Sequence, residues 1–192
     1  KDMPLELLNA IGCIRVDDLS ALKGMALKTL WLDDTKVSDL TPLAGMPLTS
    51  LSLKRTRVTD LSPLKGMPLD RLSFENTHVS DLAPLAGSPI THLNLGHTKV
   101  TDLSPLKEFT QLHMLTIHGL EISDLSPLRG LERLRSVHFS STRVSSIEPL
   151  RGLTLGRIVM ADVNVTDLSP LLEVKDLWDL RFGEDQQFND DA

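Results

Sequence analysis

Cysteine is nearly absent from this 192-residue chain, which carries Cys13 alone. A single cysteine excludes an intrachain disulfide and any cysteine-rich zinc cluster, and it leaves a bridge to another molecule open. We therefore expect the fold to be held by packing. Cys13 itself is interpreted as a small buried apolar residue without a catalytic partner.

Long apolar runs are also missing. No segment approaches the roughly 18 apolar residues that a bilayer-spanning helix requires, and residues 1–4 lack the apolar stretch of a signal peptide. We expect no membrane insertion, and the sequence leaves the cellular location open. Because the chain begins with Lys1 rather than methionine, we interpret it as a segment of a longer polypeptide whose address signal can lie elsewhere.

An excess of positive charge is lacking as well. The chain has 20 Lys and Arg against 26 Asp and Glu, a net charge of −6, which argues against general nucleic-acid binding by phosphate neutralisation. The pattern predicts an acidic C-terminal tail at 183–192. Its four acids stand without a base and are Glu184, Asp185, Asp190 and Asp191.

What the sequence does contain is one motif repeated at a fixed period, which indicates a stacked repeat architecture. The units 27–47, 48–68 and 69–89 begin LKTLWL, LTSLSL and LDRLSF, and further units start at Ile90, Leu112, Leu134 and Leu155. We expect a single domain at 1–182. It comprises a partial or capping coil at 1–26, seven full repeats at 27–176 and a last partial coil at 177–182. We expect residues 2–14 to form either an imperfect first coil or a short cap helix, and the last coil to be closed by Trp178, Phe182 and Phe188.

The apolar positions of each unit form columns. The fourth column runs through Leu30, Leu51, Leu72 and Leu93, and the alternation L-x-x-L-x-L predicts a short strand in every unit. One coil cannot bury its leucines alone, whereas stacked coils share a continuous core. In the recurring D-L-S-P-L segment, proline suits the first turn of a short helix, so we expect a brief 3₁₀ turn there.

The motif L-x-x-L-x-L-x-x-T-x-V-x-D-L-x-P-L resembles the leucine-rich repeat, in the short bacterial, SDS22-like class that includes the internalins. The resemblance covers about residues 5–182. It implies an α/β fold, namely a right-handed solenoid with a parallel β-sheet on its concave face and short 3₁₀ turns and loops on its convex face. The family's usual asparagine at the ninth position is threonine in five units, while Leu120 and Val163 interrupt the column, so we expect a weaker ladder at those two coils.

If the resemblance holds, the residues between the leucines project from the concave sheet and differ from coil to coil. This arrangement suits recognition of an extended protein surface by a stiff array. The candidate partner-binding residues are Trp31, Lys54, Arg71, His92, Asn94, Met114, His118, His138 and Arg157.

Each candidate has an ordinary structural alternative. Trp31 is either a binding anchor or part of a cap over the first coil. Arg71, Arg157 and Arg181 either pair with carboxylates of a partner or are balanced by neighbouring acids such as Glu75 and Asp179. The basic run 54–57 either meets an anion or is solvated.

Histidine is concentrated on four adjacent coils, at His78, His92, His97, His118 and His138. A shared metal would require a diagonal arrangement of ligands across strands about 4.8 Å apart, and no cysteine or close carboxylate completes a ligand set. A pH-sensitive interface is a second interpretation, and ordinary surface histidines are the third. We predict no metal and no cofactor.

Catalytic motifs are not evident. The Ser/Thr-Asp pairs recur in nearly every coil, which indicates a structural role, and no phosphate-binding glycine loop is present. The sequence therefore predicts a non-catalytic, monomeric protein-binding module with a protein partner of unknown identity. The alternatives are a spacer or regulatory segment of a larger signalling protein, and, third, an enzyme that uses His92 or His138.

Overall fold

A computed structural model describes residues 5–183 as a single parallel sheet in which nine three-residue strands follow one another in chain order. Each strand pairs only with the strands of adjacent coils. The strands are β1 Leu7–Asn9, β2 Thr29–Trp31, β3 Ser50–Ser52, β4 Arg71–Ser73, β5 His92–Asn94, β6 Met114–Thr116, β7 Ser136–His138, β8 Arg157–Val159 and β9 Asp179–Arg181.

The strand register stacks the fourth-column residues directly on one another. Leu51 pairs with Leu72, and Leu72 pairs with Leu93. All three side chains are buried, as are their counterparts from β2 to β8, and they belong to one continuous apolar core. The predicted solenoid with shared burial between coils is confirmed.

Eight of the nine described coils carry a short 3₁₀ helix on the side opposite the strand, and residues 5–183 contain no α-helix. Proline occupies the first turn of seven of these helices, as the sequence predicts. The helices are Ser20–Leu22, Thr41–Leu43, Ser62–Leu64, Ala83–Leu85, Ser104–Glu108, Ser126–Leu128, Glu148–Leu150 and Ser169–Glu173. Nothing in this part of the chain is a helix long and apolar enough to cross a bilayer.

The side chains of the repeated aspartates accept hydrogen bonds from the first residue of these helices. Oδ1 of Asp60 accepts a hydrogen bond from the Ser62 N–H at 2.8 Å, and Oδ2 accepts one from the Ser62 hydroxyl at 2.7 Å. These bonds lower the pKa of Asp60. The backbone bond recurs at six other aspartates, which gives the Ser/Thr-Asp pairs their structural role: Asp18, Asp39, Asp81, Asp102, Asp124 and Asp167.

The threonine column acts within single coils. The Thr56 hydroxyl donates to the Leu53 carbonyl at 2.7 Å, and Thr35, Thr77, Thr98 and Thr142 make the same bond to the carbonyl three residues before them. Each of these bonds closes a turn inside one coil. Leu120 and Val163 supply no hydroxyl for such a bond.

The first coil joins the sheet through β1, so the segment 2–14 contains a strand of an imperfect coil where a cap helix was the other expectation. The expectation that Cys13 is buried is wrong, because Cys13 is exposed. It lies in a turn closed by the bond from the Val16 N–H to its own carbonyl, at 2.8 Å. Among the described residues no coil precedes this turn to cover it.

The last described coil is open on its outer side. Trp178 and Phe182 were expected to close it, but they are 78% and 57% exposed. Phe182 continues a column that is buried in the preceding coils at Phe139 and Met160, so its burial would require a following coil. Trp178 continues the second column, which is exposed in other coils at Lys28 and Thr49. Phe188 and nearly all of the predicted acidic tail lie outside the described residues, and the proposed domain boundaries stay a prediction.

Candidate functional site

The strand face is defined here as the first and last residues of each strand together with the residue two positions beyond it. All nine candidate residues lie on this face, because alternation along each strand turns them away from the core. Arg71 is exposed, and Asn94 is buried. The others are partly exposed: Trp31, Lys54, His92, Met114, His118, His138 and Arg157.

Most of the arginines considered on the sequence are engaged with acids of this chain. Asp179 receives Nε of Arg157 at 3.1 Å and Nε of Arg181 at 2.8 Å. In the basic run 54–57, Arg55 forms an ion pair with Asp34 at 2.6 Å. In this structure Arg55, Arg157 and Arg181 are therefore balanced by acidic residues of the same chain.

Two histidines of the strand face, His118 and His138, come together with His97, which lies one position beyond that face, in an arrangement that the sequence analysis left open. The rings of His97 and His118 meet edge to face with centroids 4.6 Å apart. The rings of His118 and His138 stack at 4.9 Å with 15° between their planes. His118 is thus the middle ring of a histidine stack that spans three coils.

Two glycines make room for this stack. A Cβ at Gly96 would fall on the ring of His118, and a Cβ at Gly119 would fall on the ring of His97. The two coils carry the pair in opposite order, Gly96-His97 and then His118-Gly119. Each ring therefore occupies the space that the neighbouring coil leaves empty.

Glu75 provides the charge beside the stack. Its Oε1 lies 3.6 Å from Nε2 of His118 and accepts a hydrogen bond from the Asn76 amide at 3.2 Å. Its Oε2 accepts one from the Asn94 amide at 3.0 Å. The interaction with His118 lowers the pKa of Glu75, and Asn94 and Lys54 add to that effect against the burial that would raise it. Glu75 is therefore held as a carboxylate.

His138 differs electrostatically from the ring stacked on it. Burial, together with the nearby His118 and Arg157, lowers the pKa of His138 to about 4. It is therefore neutral at neutral pH and in mild acid. The stack as a whole does not meet the requirements of a metal centre, because no group of three His, Cys, Asp or Glu side chains within residues 5–183 is arranged to hold an ion.

The sequence analysis found the histidines but missed their arrangement. It treated Glu75 only as a counter-charge for arginine, and it assigned Asn94 to partner contact. In the structure the side-chain amide of Asn94 donates its N–H to Glu75, and the side-chain oxygen of Asn94 accepts a hydrogen bond from the Gly96 N–H at 3.2 Å. The sequence feature that could have revealed the stack is the pair of glycines, Gly96 at the seventh position of one coil and Gly119 at the eighth position of the next. The remaining candidates stay predictions.

The stacked coils, each with one short strand and one 3₁₀ turn, define a leucine-rich repeat protein. No protein-family model matches the sequence, and no curated protein matches it. Solved structures do match. An internalin C2 (inlC2) from Listeria monocytogenes aligns with a TM-score of 0.85 and 28% identity, over 93% of this chain and 80% of its own.

Two further structures support the same assignment. An internalin (inlF) from Listeria monocytogenes aligns with a TM-score of 0.76 and 25% identity over 93% of this chain, which spans only 61% of that protein. The functional domain of InlJ, also from Listeria monocytogenes, aligns at 0.64 with 19% identity over 94% of this chain and 41% of its own, a likeness of fold alone. The chain therefore has the leucine-rich repeat solenoid fold that these internalins share.

Proposed function

We propose that this protein is a non-catalytic module that recognises a protein partner through its concave strand face. The observation that carries the proposal is the contrast between the two sides of each strand. The inward residues repeat from coil to coil and are buried, whereas the outward residues change in size, charge and hydrogen-bonding capacity. A scaffold with a constant core and a varied, accessible surface is suited to recognition.

Several candidate contacts have the properties of interface residues. Trp31 combines a large aromatic surface with partial exposure at the end of β2, and Arg71 is exposed at the start of β4. Tryptophan and arginine dominate binding hot spots when a partner buries them. Met114 adds an adaptable apolar side chain in the middle of the face.

The experiment compares two triple variants by crosslinking and pull-down of the intact chain. The strand-face variant carries Trp31→Ala, Arg71→Ala and His118→Ala. The matched variant carries three changes at exposed residues of the opposite side, Lys65→Ala, Lys107→Ala and Arg129→Ala. We expect the strand-face variant to lose a partner that the wild type and the matched variant both retain, with all three proteins equally folded by circular dichroism.

The same experiment separates recognition from the spacer alternative. A spacer holds adjacent parts of a larger protein and makes no specific contact through its strand face. If every captured protein survives the strand-face changes, the proposal is wrong and the spacer interpretation is favoured. Loss of capture only in the matched variant would move the binding surface to the convex side.

A further inference from the structure

Leu172 and Trp178 are large apolar side chains on the surface of the last two described coils. Leu172 is 88% exposed and Trp178 is 78% exposed. They stand at the two ends of the segment 172–178, which runs from the end of the last 3₁₀ helix to the residue before β9. We call this segment the C-terminal flank, and its exposed side chains are Leu172, Glu173, Lys175, Asp176 and Trp178.

The stacking of coils does not account for these two apolar residues. Leu172 takes the place that Lys65 and Arg129 occupy in earlier units, and both of those residues are exposed although further coils follow them. Trp178 continues the second column, in which Lys28 is exposed in the same way. Both positions point to solvent in coils that have neighbours on either side. Leucine and tryptophan therefore replace solvated residues on the C-terminal flank, and a contiguous apolar surface of this kind marks an interaction site.

The indole of Trp178 is seated on the backbone of the preceding coil. A Cβ atom at Gly156 would lie 2.5 Å from Nε1 of Trp178, and the Trp178 N–H donates to the Gly156 carbonyl at 3.0 Å. Glycine at position 156 thus leaves the space in which the ring lies. A side chain that is held in place before binding loses little conformational freedom, and tryptophan is among the residues that dominate binding hot spots.

The charged residues near Trp178 fall into two groups. Lys175 and Asp176 are exposed, and neither side chain forms an ion pair with another residue of 5–183. One unpaired cation beside one unpaired anion is complementary to the same pair on a second copy. The other charged residues are paired within the chain, namely Glu173 with Arg151, and Asp179 with Arg157 and Arg181.

From this arrangement we infer that the C-terminal flank is a homodimer interface, in which two copies of the chain meet across a two-fold axis. In such an interface residue i of one copy meets residue j of the other, and j meets i. When the two flanks run antiparallel, Lys175 of each copy lies opposite Asp176 of the other, and Leu172 comes within one position of Trp178. One register therefore pairs both charges and covers both apolar side chains.

The inference goes beyond the proposed function, because the C-terminal flank lies outside the strand face, and it departs from the monomer predicted from the sequence. The size of the apolar surface sets the expected affinity. A standard interface buries roughly 800 Å² on each partner, of which a tryptophan supplies about 150–250 Å². Trp178 and Leu172 are thus the centre of an interface with a polar rim. We expect a reversible dimer with a Kd in the micromolar range.

Sedimentation velocity of the intact chain between about 1 μM and 1 mM measures this equilibrium. The wild type should change from monomer to dimer over this range. Trp178→Ser and Leu172→Ser should each raise the dimer Kd by about tenfold or more, since hot-spot truncations cost that much. The matched controls are Leu7→Ser and Ile14→Ser, at exposed apolar residues of the first coil, and they should leave the Kd unchanged.

Charge exchange tests the antiparallel register without touching the apolar residues. Lys175→Glu makes both members of the pair negative, and Asp176→Lys makes both positive. Each variant alone should dimerise about tenfold more weakly than the wild type, because like charges then face each other across the axis. An equimolar mixture of the two variants should form a heterodimer, and the double variant with both changes should recover the wild-type Kd.

Three results would overturn the inference: a wild-type chain that is monomeric at about 1 mM, a dimer that Trp178→Ser and Leu172→Ser leave intact, or charge variants that fail to associate when mixed. Weakening by Leu7→Ser or Ile14→Ser alone would also overturn it, since the copies would then stack end to end.

The fluorescence of Trp178, measured in a Trp31→Phe background, identifies a different occupant of the flank. In a dimer its emission should shift to the red on dilution. A monomer whose Trp178 is shielded from water at every concentration would assign the flank to another part of the same chain, and the inference would be wrong. Recognition by the strand face is scored separately by the pull-down with the triple variants, so either proposal can fail without the other.

Discussion

The ring of His118 fills the space above Gly96 of the preceding coil, where a Cβ atom has no room. The same relationship holds in the other direction, because the ring of His97 fills the space beside Gly119 of the following coil. Gly96 has an ordinary backbone φ, unlike Gly119 at φ 67°. The reason for glycine at position 96 is therefore the ring, which makes this contact open to a clean test.

Gly96→Ala should destabilise the protein by roughly 1–3 kcal/mol, the usual cost of adding a methyl group to a filled site. In a His118→Ala background the same change should cost much less, since the ring is gone. Urea unfolding of the four proteins gives the coupling free energy. Gly183→Ala is the control, because a Cβ there meets no atom within 4 Å. Equal costs of Gly96→Ala in both backgrounds would contradict the contact.

Core burial between coils predicts a second difference. Leu93 is the middle residue of β5 and is 1% exposed, whereas Leu172 is 88% exposed. Leu93→Ala should lower the free energy of unfolding by about 2–5 kcal/mol, and Leu172→Ala should change it by less than about 0.5 kcal/mol. The urea midpoints of both variants measure this, and similar midpoints would argue against stacking as the source of stability.

The hydroxyl bonds of the threonine column are testable with an isosteric change. Thr77→Val removes the donor that serves the Phe74 carbonyl at 2.7 Å, and a buried acceptor left without its donor costs about 1–3 kcal/mol. Thr59→Val, at an exposed position, is the matched control and should be nearly neutral. Thermal melts of both variants measure the difference, and a neutral Thr77→Val would show that the turn does not depend on the bond.

The aspartates that accept hydrogen bonds at the start of the 3₁₀ helices predict that the protein loses stability in acid. The pKa values of Asp39, Asp60 and Asp102 are lowered in the folded chain by hydrogen bonds from the following Ser or Thr. A lowered folded-state pKa means that the stabilisation is complete above the unfolded value of about 3.9 and is lost as the pH falls through the folded value. We therefore expect Tm to decrease steeply below about pH 4.

The matched variant for this prediction replaces Asp39, Asp60 and Asp102 with asparagine. Asparagine keeps the accepting Oδ1 and loses the titration. Its Tm should change less between pH 5 and pH 2.5 than that of the wild type, although it can be lower at pH 7. A parallel decrease in both proteins would assign the acid loss to other groups.

The fold was predictable because its information repeats. A leucine that recurs every 21 or 22 residues has one role wherever it stands, so Leu51, Leu72 and Leu93 identify the strand, its inward face and its neighbours together. In the first and last described coils, however, position in the repeat did not predict burial. Cys13 and Phe182 follow the repeat in sequence, yet both are exposed, because burial in a solenoid is supplied by the adjacent coil rather than by the residue itself.

The amino-acid sequence by itself determined the repeat, the short strands, the 3₁₀ turns and the set of residues that face outward, because each follows from local alternation and a fixed period. That the strands are parallel was implied by the resemblance to leucine-rich repeats. Only the tertiary structure decided that His97, His118 and His138 form one stack and that Glu75 lies beside it. These contacts join residues about 20 positions apart or more, and they depend on which side chain a neighbouring coil omits. Gly96 and Gly119 carry that information, and it has a physical meaning only when the two coils are placed one on the other.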